Sequence, residues 1–270
     1  MNQTVATSQP TVSVAGKRST ARIYWLEFRN EVLKNVRMPA YTISSLAFPL
    51  MFYVLFALLF GGEQAGGTSS AAYMLATIGS FGVVGAALFG YGVGIATERG
   101  QGWMIIKRAS PMPPLAYFSA KTLMALLMSA IIVLMLFAAG ALTQGIRMPL
   151  ETWAVMFATM VLGVIPFCAL GLAFGYLAGP NSAPVIVNFI YLPLGFFSGL
   201  WIPLQVLPAF IQNIAPWLPT YHLGQLALMP LKASVIQSAW PSLLYLAGFT
   251  AVFLGLAVLL YRRDSGKSVG

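Results

Sequence analysis

Only 8% of the 270 residues are charged and 59% are hydrophobic, whereas a soluble domain carries roughly 25% charged residues. This composition excludes a soluble globular domain and predicts that most of the chain lies in a lipid bilayer as one helical domain. The net charge of +9 would suggest nucleic acid in a soluble protein but in a membrane protein is a topology signal, and the single cysteine excludes an internal disulfide.

The N-terminal region precedes any apolar run, so we expect no cleavable signal peptide. Residues 1–18 are predicted to form a disordered cytoplasmic tail. Residues 19–38 are predicted to form an amphipathic helix in the cytoplasmic membrane interface, in contact with lipid, and to end at Pro39. The apolar positions at helical spacing are Trp25, Phe28, Val32 and Val36. Another face carries Glu27, Glu31 and Lys34.

Apolar stretches close to the ~20 residues that cross a hydrocarbon core predict an all-α, six-span transmembrane domain over residues 40–261. The predicted spans are about 40–60, 73–96, 122–143, 152–178, 185–204 and 241–261. Glycine, proline, serine and threonine inside them are tolerated because neighbouring helices satisfy the freed backbone groups. Residues 262–270 are predicted to form a cytoplasmic tail.

Basic residues are divided unequally between the two sides of these spans. With a cytoplasmic N-terminus, only Arg147 and Lys232 of the 15 lysines and arginines lie outside. The positive-inside rule therefore predicts that both termini are cytoplasmic, and our expected location is a bacterial cytoplasmic (inner) membrane. The proline-rich segment 205–240 is predicted to be a re-entrant or interfacial hairpin on the outer face, because a seventh span would move the basic tail outside. An ordinary external loop is the alternative.

The loop 97–121 has a defined order: an acid–base pair, a glycine break, an apolar stretch, a basic pair and a proline stop. These elements comprise Glu98, Arg99, Gly100, Trp103, Ile105, Ile106, Lys107, Arg108 and Pro111. This order predicts a short helix with its own end, able to dock in a groove of a partner. A basic cytoplasmic loop without a partner is the alternative.

From Glu98 to Pro111 this loop resembles the cytoplasmic coupling segment of the type-2 ATP-binding-cassette exporter permeases. Residues 191–203, with residues 207–208 and 219–223, are similar to the fifth span and outer hairpin of that family. The positions that carry this second match are Pro193, Ser198, Gly199 and Pro203. With the amphipathic start and the six spans, the resemblance covers nearly the whole chain.

The resemblance implies that the permease pairs with a second copy of itself or with a close relative. Each copy would seat its coupling helix on one of two cytoplasmic ATPase subunits, which would hold ATP and Mg, whereas this chain would hold no cofactor. Trp103, Ile105 and Ile106 would enter the ATPase groove. The charged residues that would fix the orientation are Glu98, Arg99, Lys107 and Arg108.

The resemblance also places the first, second and fifth spans around a translocation path or dimer interface. The candidate residues are Phe48, Phe52, Tyr53, Phe56, Asn188, Tyr191, Phe196, Phe197, Ser198 and Trp201. Each aromatic side chain could equally face lipid or pack in the core, and Asn188 is more often an interhelical hydrogen-bonding residue than a ligand. The glycines 171, 175 and 179 are expected to serve packing within one subunit.

Several chemistries are excluded by missing patterns. The chain has no Walker A motif, and Gly90-Tyr-Gly92-Val-Gly94 lies inside an apolar span, so it is not a phosphate cradle and the chain is not expected to be an enzyme. No Cys/His spacing predicts a metal site. The predicted spans contain no charged residue, which argues against a proton-driven antiporter.

The favoured function is therefore efflux of an amphiphilic or hydrophobic compound, such as a drug, a toxin or a lipid-like molecule, with no nucleic-acid partner. A lipid-linked polysaccharide is the alternative cargo. An ion-coupled carrier or a membrane sensor is the alternative of another class.

Overall fold

A computed structural model describes residues 20–62, 64–65, 67–110 and 112–267, and within these ranges the protein is almost entirely helical. The predicted disordered tail, residues 1–18, lies outside the described part. The helices are α1 (Thr20–Val36), α2 (Pro39–Phe60), α3 (Ser70–Ala87), α4 (Gly94–Gly100), α5 (Trp103–Ala109), α6 (Pro114–Thr143), α7 (Leu150–Leu162), α8 (Ile165–Leu177), α9 (Ala183–Phe197), α10 (Ala209–Ile214), α11 (Pro219–Leu228) and α12 (Trp240–Lys267).

Short elements join these helices. The strands β1 (Gln64–Ala65) and β2 (Thr68–Ser69) pair antiparallel between α2 and α3. A π-helical stretch, Leu88–Val93, joins α3 to α4, at the glycine-rich sequence that resembled a phosphate loop in composition only. Turns of 3₁₀-helix lie at Leu204–Val206, Ala215–Trp217 and Met229–Leu231. Because α12 continues to Lys267, the first part of the predicted C-terminal tail is helical.

Five helical segments of the described chain are long and apolar enough to cross a membrane. They are Tyr41–Phe60, Ser70–Gly100, Pro114–Thr143, Leu150–Leu177 and Trp240–Asp264. The predicted fifth span corresponds to α9, an apolar helix of only 15 residues. The all-helical membrane architecture is thus present, whereas the crossing by α9, and with it the number six, stays a prediction.

The second span is the centre of the subunit. Its apolar window is 94% buried inside the protein, against 17% for the first span and 11% for the last. α3 packs on α2, α6 and α11, and the π-helical stretch packs on α8. Small residues allow this approach, since a Cβ at Gly82 would lie 2.9 Å from the Pro49 Cβ.

The fourth span packs closely on the second along its C-terminal half, α8. A Cβ at Gly171 would lie 2.9 Å from the Tyr91 Cβ, and one at Gly175 would lie 2.8 Å from the Ile95 Cβ. These glycines therefore serve packing within the subunit, as expected, while Gly179 lies beyond the end of α8. The span is divided into α7 and α8, where Pro166 is the second residue of the new helix and Leu223 of α11 approaches Gly163.

The segment 205–240 forms packed helices rather than an open loop. α11 is buried along most of its length and packs on α3, α7 and α12. His222 ties this segment to α12, because its Nδ1 lies 2.9 Å from the Ser242 hydroxyl and its Nε2 lies 3.0 Å from the Pro216 carbonyl oxygen. The segment is thus helical and packed, whereas its form as a re-entrant or interfacial hairpin on the outer face stays a prediction.

α1 packs through its polar face. Glu31 and Asn35 are buried against the body, mainly on α6, whereas Trp25 and Val36 of the apolar stripe are exposed. Val32 of the same stripe packs against the core, so only part of the stripe faces away from the protein, and the position of α1 in the membrane interface stays a prediction. The charged face has a separate role, because it supplies residues to the cluster described below.

Candidate functional site

The predicted coupling segment contains a short helix, α5, that starts directly after a sharp turn. Gly102 precedes the helix with φ of 76°, a left-handed conformation that glycine adopts without steric cost. On α5, Trp103, Ile105 and Ile106 are 54%, 64% and 67% exposed, while Met104 between them is buried. Three large apolar side chains thus project from a seven-residue helix. An exposed apolar patch of this kind, which the subunit itself does not bury, is typical of an interaction surface.

Glu98 lies at the centre of a buried ionic cluster that consists of Glu31, Lys34, Glu98 and Lys121, with the Tyr117 hydroxyl. Lys121 Nζ donates to Glu98 Oε1 at 3.0 Å and to Glu31 Oε1 at 2.9 Å. Lys34 also donates to Glu98, and Tyr117 donates to the second Glu98 oxygen at 2.5 Å. The two carboxylates and two ammonium groups balance, which a buried cluster requires.

The cluster lies just beyond the ends of two predicted spans. Glu98 and Lys121 lie inside the helical segments Ser70–Gly100 and Pro114–Thr143, which extend beyond the predicted spans 73–96 and 122–143. The predicted spans themselves contain neither residue, so their lack of charge as an argument against a proton-driven antiporter stays a prediction. Both side chains are held by opposite charges within the same subunit.

Arg99 joins the end of the second span to the fourth and last spans. One guanidinium nitrogen donates to the carbonyl oxygens of Gly175 and Tyr176 at 2.9 and 3.1 Å, and the other donates to Asp264 Oδ1 at 2.6 Å. The carbonyls at the end of α8 lack helical partners, so the arginine satisfies them. Gly100 permits this approach, because a Cβ there would lie 2.5 Å from Pro180.

Lys107 attaches α5 itself to the rest of the subunit. Its ammonium group pairs with the Glu27 carboxylate of α1 and lies 4.2 Å from the centre of the Tyr117 ring. Arg108 belongs to α5, but its side chain lies outside the described part of the structure. The structure therefore gives Glu98, Arg99 and Lys107 partners in their own chain, and leaves the apolar side chains of α5 exposed. A direct contact of these charges with an ATPase stays a prediction.

A cleft of about 290 Å³ lies between the first, second and fifth predicted spans. Its lining comprises Tyr41, Ser44, Ser45, Phe48, Pro49, Gly82, Gly85, Ala86, Phe89, Asn188, Tyr191 and Leu192. Three of these, Phe48, Asn188 and Tyr191, were predicted path residues. Sequence reasoning missed Tyr41, Ser44 and Ser45, although their spacing to Phe48 places them on one helix face.

The other predicted path residues lie elsewhere. Phe52, Phe56 and Trp201 belong to a chain of ring contacts between α2 and the end of α9, with Phe52 and Trp201 centroids 5.8 Å apart. Phe196 and Phe197 are half-buried at the end of α9. The rings contact one another, so most of them do not present open faces to the cleft.

Two of the three polar candidates have a local hydrogen-bond partner, whereas the Tyr53 hydroxyl has none among the described residues. Tyr53 is fully buried, and its hydroxyl would lie 2.9 Å from a Cβ at Gly140 of α6, so the structure packs it inside the subunit and away from the cleft. Ser198 is buried and donates to the Leu194 carbonyl at 2.5 Å. Asn188 is exposed and donates to Pro184 in its own helix at 3.0 Å, so the expected interhelical bond is absent from this subunit.

The cleft continues toward the ionic cluster. Tyr41, Ala86 and Phe89 also line a second cavity, of about 160 Å³, that has Glu98 and Lys121 among its other lining residues. The candidate path and the anchor of the coupling helix therefore share side chains of α2 and of the second span. This proximity was invisible in the sequence, because the contributing residues are far apart along the chain.

Comparison with known proteins agrees with this arrangement. The family model for the ABC-2 type transporter matches residues 23–231, which run from α1 to the end of the hairpin helices. A Bacillus subtilis (strain 168) protein named "Putative transport permease YvfS" is 27% identical over 234 residues, covering 87% of this chain and 95% of that protein. With its apolar helices and a family match over most of its length, the chain belongs to the ABC-2 type transporter family, whose members are membrane permease subunits that partner with an ATP-binding-cassette ATPase subunit.

Proposed function

We propose that two copies of this permease, with two ATPase subunits that bind ATP and Mg, export an amphiphilic or hydrophobic compound across a bacterial inner membrane. In this arrangement α9 completes six spans, and both termini lie in the cytoplasm. The observation that supports this class of cargo is the cleft, which is short, mainly apolar and bordered by Tyr41, Phe48 and Phe89. A polar glycan chain would need a longer, more hydrophilic surface than this cleft offers.

The coupling mechanism follows from the partners of α5. Trp103, Ile105 and Ile106 enter a groove of the ATPase, where burial of their apolar surface supplies affinity. Lys107 and Arg99 do not orient the ATPase directly in this proposal. They anchor the coupling segment to α1, α8 and α12, so a displacement of α5 moves these helices together.

The central experiment measures ATPase activity of the complex in lipid, with and without a panel of amphiphiles and lipid-linked glycans. The triple variant Trp103→Ala/Ile105→Ala/Ile106→Ala is expected to lose association with the ATPase. Arg99→Gln is expected to keep association and lose most of the cargo stimulation. Leu150→Ala removes an equally exposed apolar side chain far from α5 and serves as the control.

Each outcome discriminates between the candidate functions. Stimulation by amphiphiles alone supports the proposal, and stimulation by glycans alone replaces its cargo. Full cargo-stimulated activity in the triple variant would contradict the role of α5. Transport driven by an ion gradient without any ATPase would establish the carrier instead.

A further inference from the structure

A wider groove, of about 920 Å³, is formed by helices that do not line the cleft. Its lining comprises Glu151, Thr152, Val155, Ala158, Thr159, Leu162, Gly163, Pro166, Leu223, Leu226, Met229, Pro230, Lys232, Ala239, Leu243, Leu246, Ala247 and Thr250. This volume falls within the ~300–1,000 Å³ of sites that hold small molecules. We call it the α7–α12 groove.

The groove lies beside the break between α7 and α8 in the fourth span. α12 packs most extensively along α8, whereas α7 packs mainly on α6 and α11. The lining positions of α7 and of α12 each recur every three or four residues, so each helix contributes one continuous face. α11 closes the space between them with Leu223 and Leu226.

The groove is apolar along its length and charged at one end. Glu151 lies in the first turn of α7, and Lys232 follows the last 3₁₀ turn of the hairpin with φ of 55°. Both are exposed residues at the end where α7 and α12 begin. Trp240, the first residue of α12, is 72% exposed at the same end, as is typical of aromatic residues at a membrane–water interface.

The length of the groove corresponds to one leaflet. From Glu151 to Pro166 the fourth span rises ~22 Å at 1.5 Å per residue, and from Ala239 to Thr250 α12 rises ~17 Å. Half of a hydrocarbon core is ~15 Å. A groove whose charged end lies at the headgroups therefore ends near the middle of the bilayer.

We propose that the α7–α12 groove binds one zwitterionic phospholipid of the outer leaflet. An acyl chain lies between α7 and α12, the phosphate lies beside Lys232 and the ammonium group lies beside Glu151. An anionic lipid such as phosphatidylglycerol would keep its phosphate beside Lys232 but would place a neutral glycerol beside Glu151 instead of an ammonium group, so Glu151 favours the zwitterionic lipid. The leaflet assignment rests on the membrane orientation in the proposed function, and the bound lipid would brace the hairpin against the fourth and last spans.

The experiment measures which lipids stay bound to the full chain. The protein, with or without its ATPase, is placed in nanodiscs that contain equal amounts of phosphatidylethanolamine and phosphatidylglycerol. Native mass spectrometry then releases the protein in the gas phase and measures its mass together with that of the retained lipid. Wild type is expected to retain phosphatidylethanolamine several-fold over phosphatidylglycerol. Glu151→Gln should retain both equally, Lys232→Arg should behave as wild type, and Lys232→Glu should lose most of the bound lipid.

Matched controls separate this site from general lipid contact. Ala247→Trp fills the groove and is expected to abolish retention, whereas Ala154→Trp, on α7 but outside the lining, should leave it unchanged. Arg147→Glu removes another predicted outer cation and should also leave it unchanged. Equal retention of the two lipids by wild type, or an equal loss in the Ala154 and Ala247 variants, would overturn the proposal.

Lipid retention requires neither ATP nor cargo, so its result is separable from the proposed function. Selective retention in a chain that binds no ATPase would overturn the proposed function and leave the lipid site. A transporter that is coupled to its ATPase but retains no lipid selectively would overturn the lipid site and leave the proposed function.

Discussion

The charged residues of this subunit are concentrated where helices meet near the coupling segment. Glu31 and Lys34 of α1, Glu98 of α4 and Lys121 of α6 form one cluster of ion pairs. Lys121 is only 3% exposed. Removing a charge from water is costly, and an opposite charge offsets that cost only while it remains in place. The cluster is therefore a point where a single substitution has a large effect on the fold.

Substitution of Lys121 by Met should lower the stability of the subunit by about 3–5 kcal/mol, because two carboxylates would then share one remaining lysine. Thermal unfolding in detergent provides the measurement. Arg29→Gln, which removes an exposed charge from α1, is the control and should change the midpoint little.

A double variant tests whether the loss comes from the unpaired carboxylates. Lys121→Met/Glu98→Gln should be less destabilised than the sum of its single variants, since the second change removes one of the orphaned charges. Strict additivity would show that Lys121 acts through packing alone.

Helix contacts in this protein depend on glycines that leave no room for a side chain. Gly171→Leu should destabilise the contact of the second and fourth spans by about 1–3 kcal/mol, because even its Cβ would lie 2.9 Å from the Tyr91 Cβ. Gly248→Leu is the matched control, since a Cβ at that helical position meets no atom within 4 Å. Equal unfolding midpoints for both variants would contradict this close packing of the two spans.

The hairpin should loosen in acid because of His222. The Pro216 carbonyl can only accept, so Nε2 carries the proton and Nδ1 accepts from Ser242; burial lowers the pKa of His222 from its usual ~6.5. A lowered folded-state pKa means that stability is complete above ~pH 6.5 and falls as the pH drops toward the folded value. Hydrogen-exchange protection in residues 209–228, corrected for the slower intrinsic exchange of amides in acid, should therefore be lower at pH 5.5 than at pH 7.5. His222→Gln should remove most of that difference, and an unchanged difference would exclude the histidine.

At the scale of the whole molecule, the open question with the largest consequence is whether α9 crosses the membrane. In a Cys168→Ala background, Asn181→Cys precedes α9 and Gln237→Cys follows the hairpin, and both positions are exposed. An impermeant maleimide should label Gln237→Cys in intact cells and Asn181→Cys only after the membrane is disrupted. Ile105→Cys and Arg147→Cys provide the inner and outer references. Labelling of both test positions from one side would reduce the number of spans to five.

Much of the architecture follows from local pattern. The apolar helices, α1 and the short helix α5 each depend on composition and spacing within about twenty residues, which is the range over which helices form. The matched family model agrees with the resemblance that the coupling segment indicated. The helices extend a few residues beyond the predicted spans, because charged residues at their ends, such as Lys121, have an opposite charge on a partner helix.

The amino-acid sequence by itself determined that this protein is dissolved in lipid, that it is helical and that it belongs with the exporter permeases, since these properties depend on residues close together in the chain. Only the tertiary structure decided that Glu98 and Arg99 bind their own subunit, that Tyr53 packs away from the cleft and that a groove opens between α7 and α12. Those outcomes depend on contacts such as Glu31 with Lys121, whose partners lie 90 positions apart. The residues that surround a side chain in the sequence do not indicate which distant helix will pack against it.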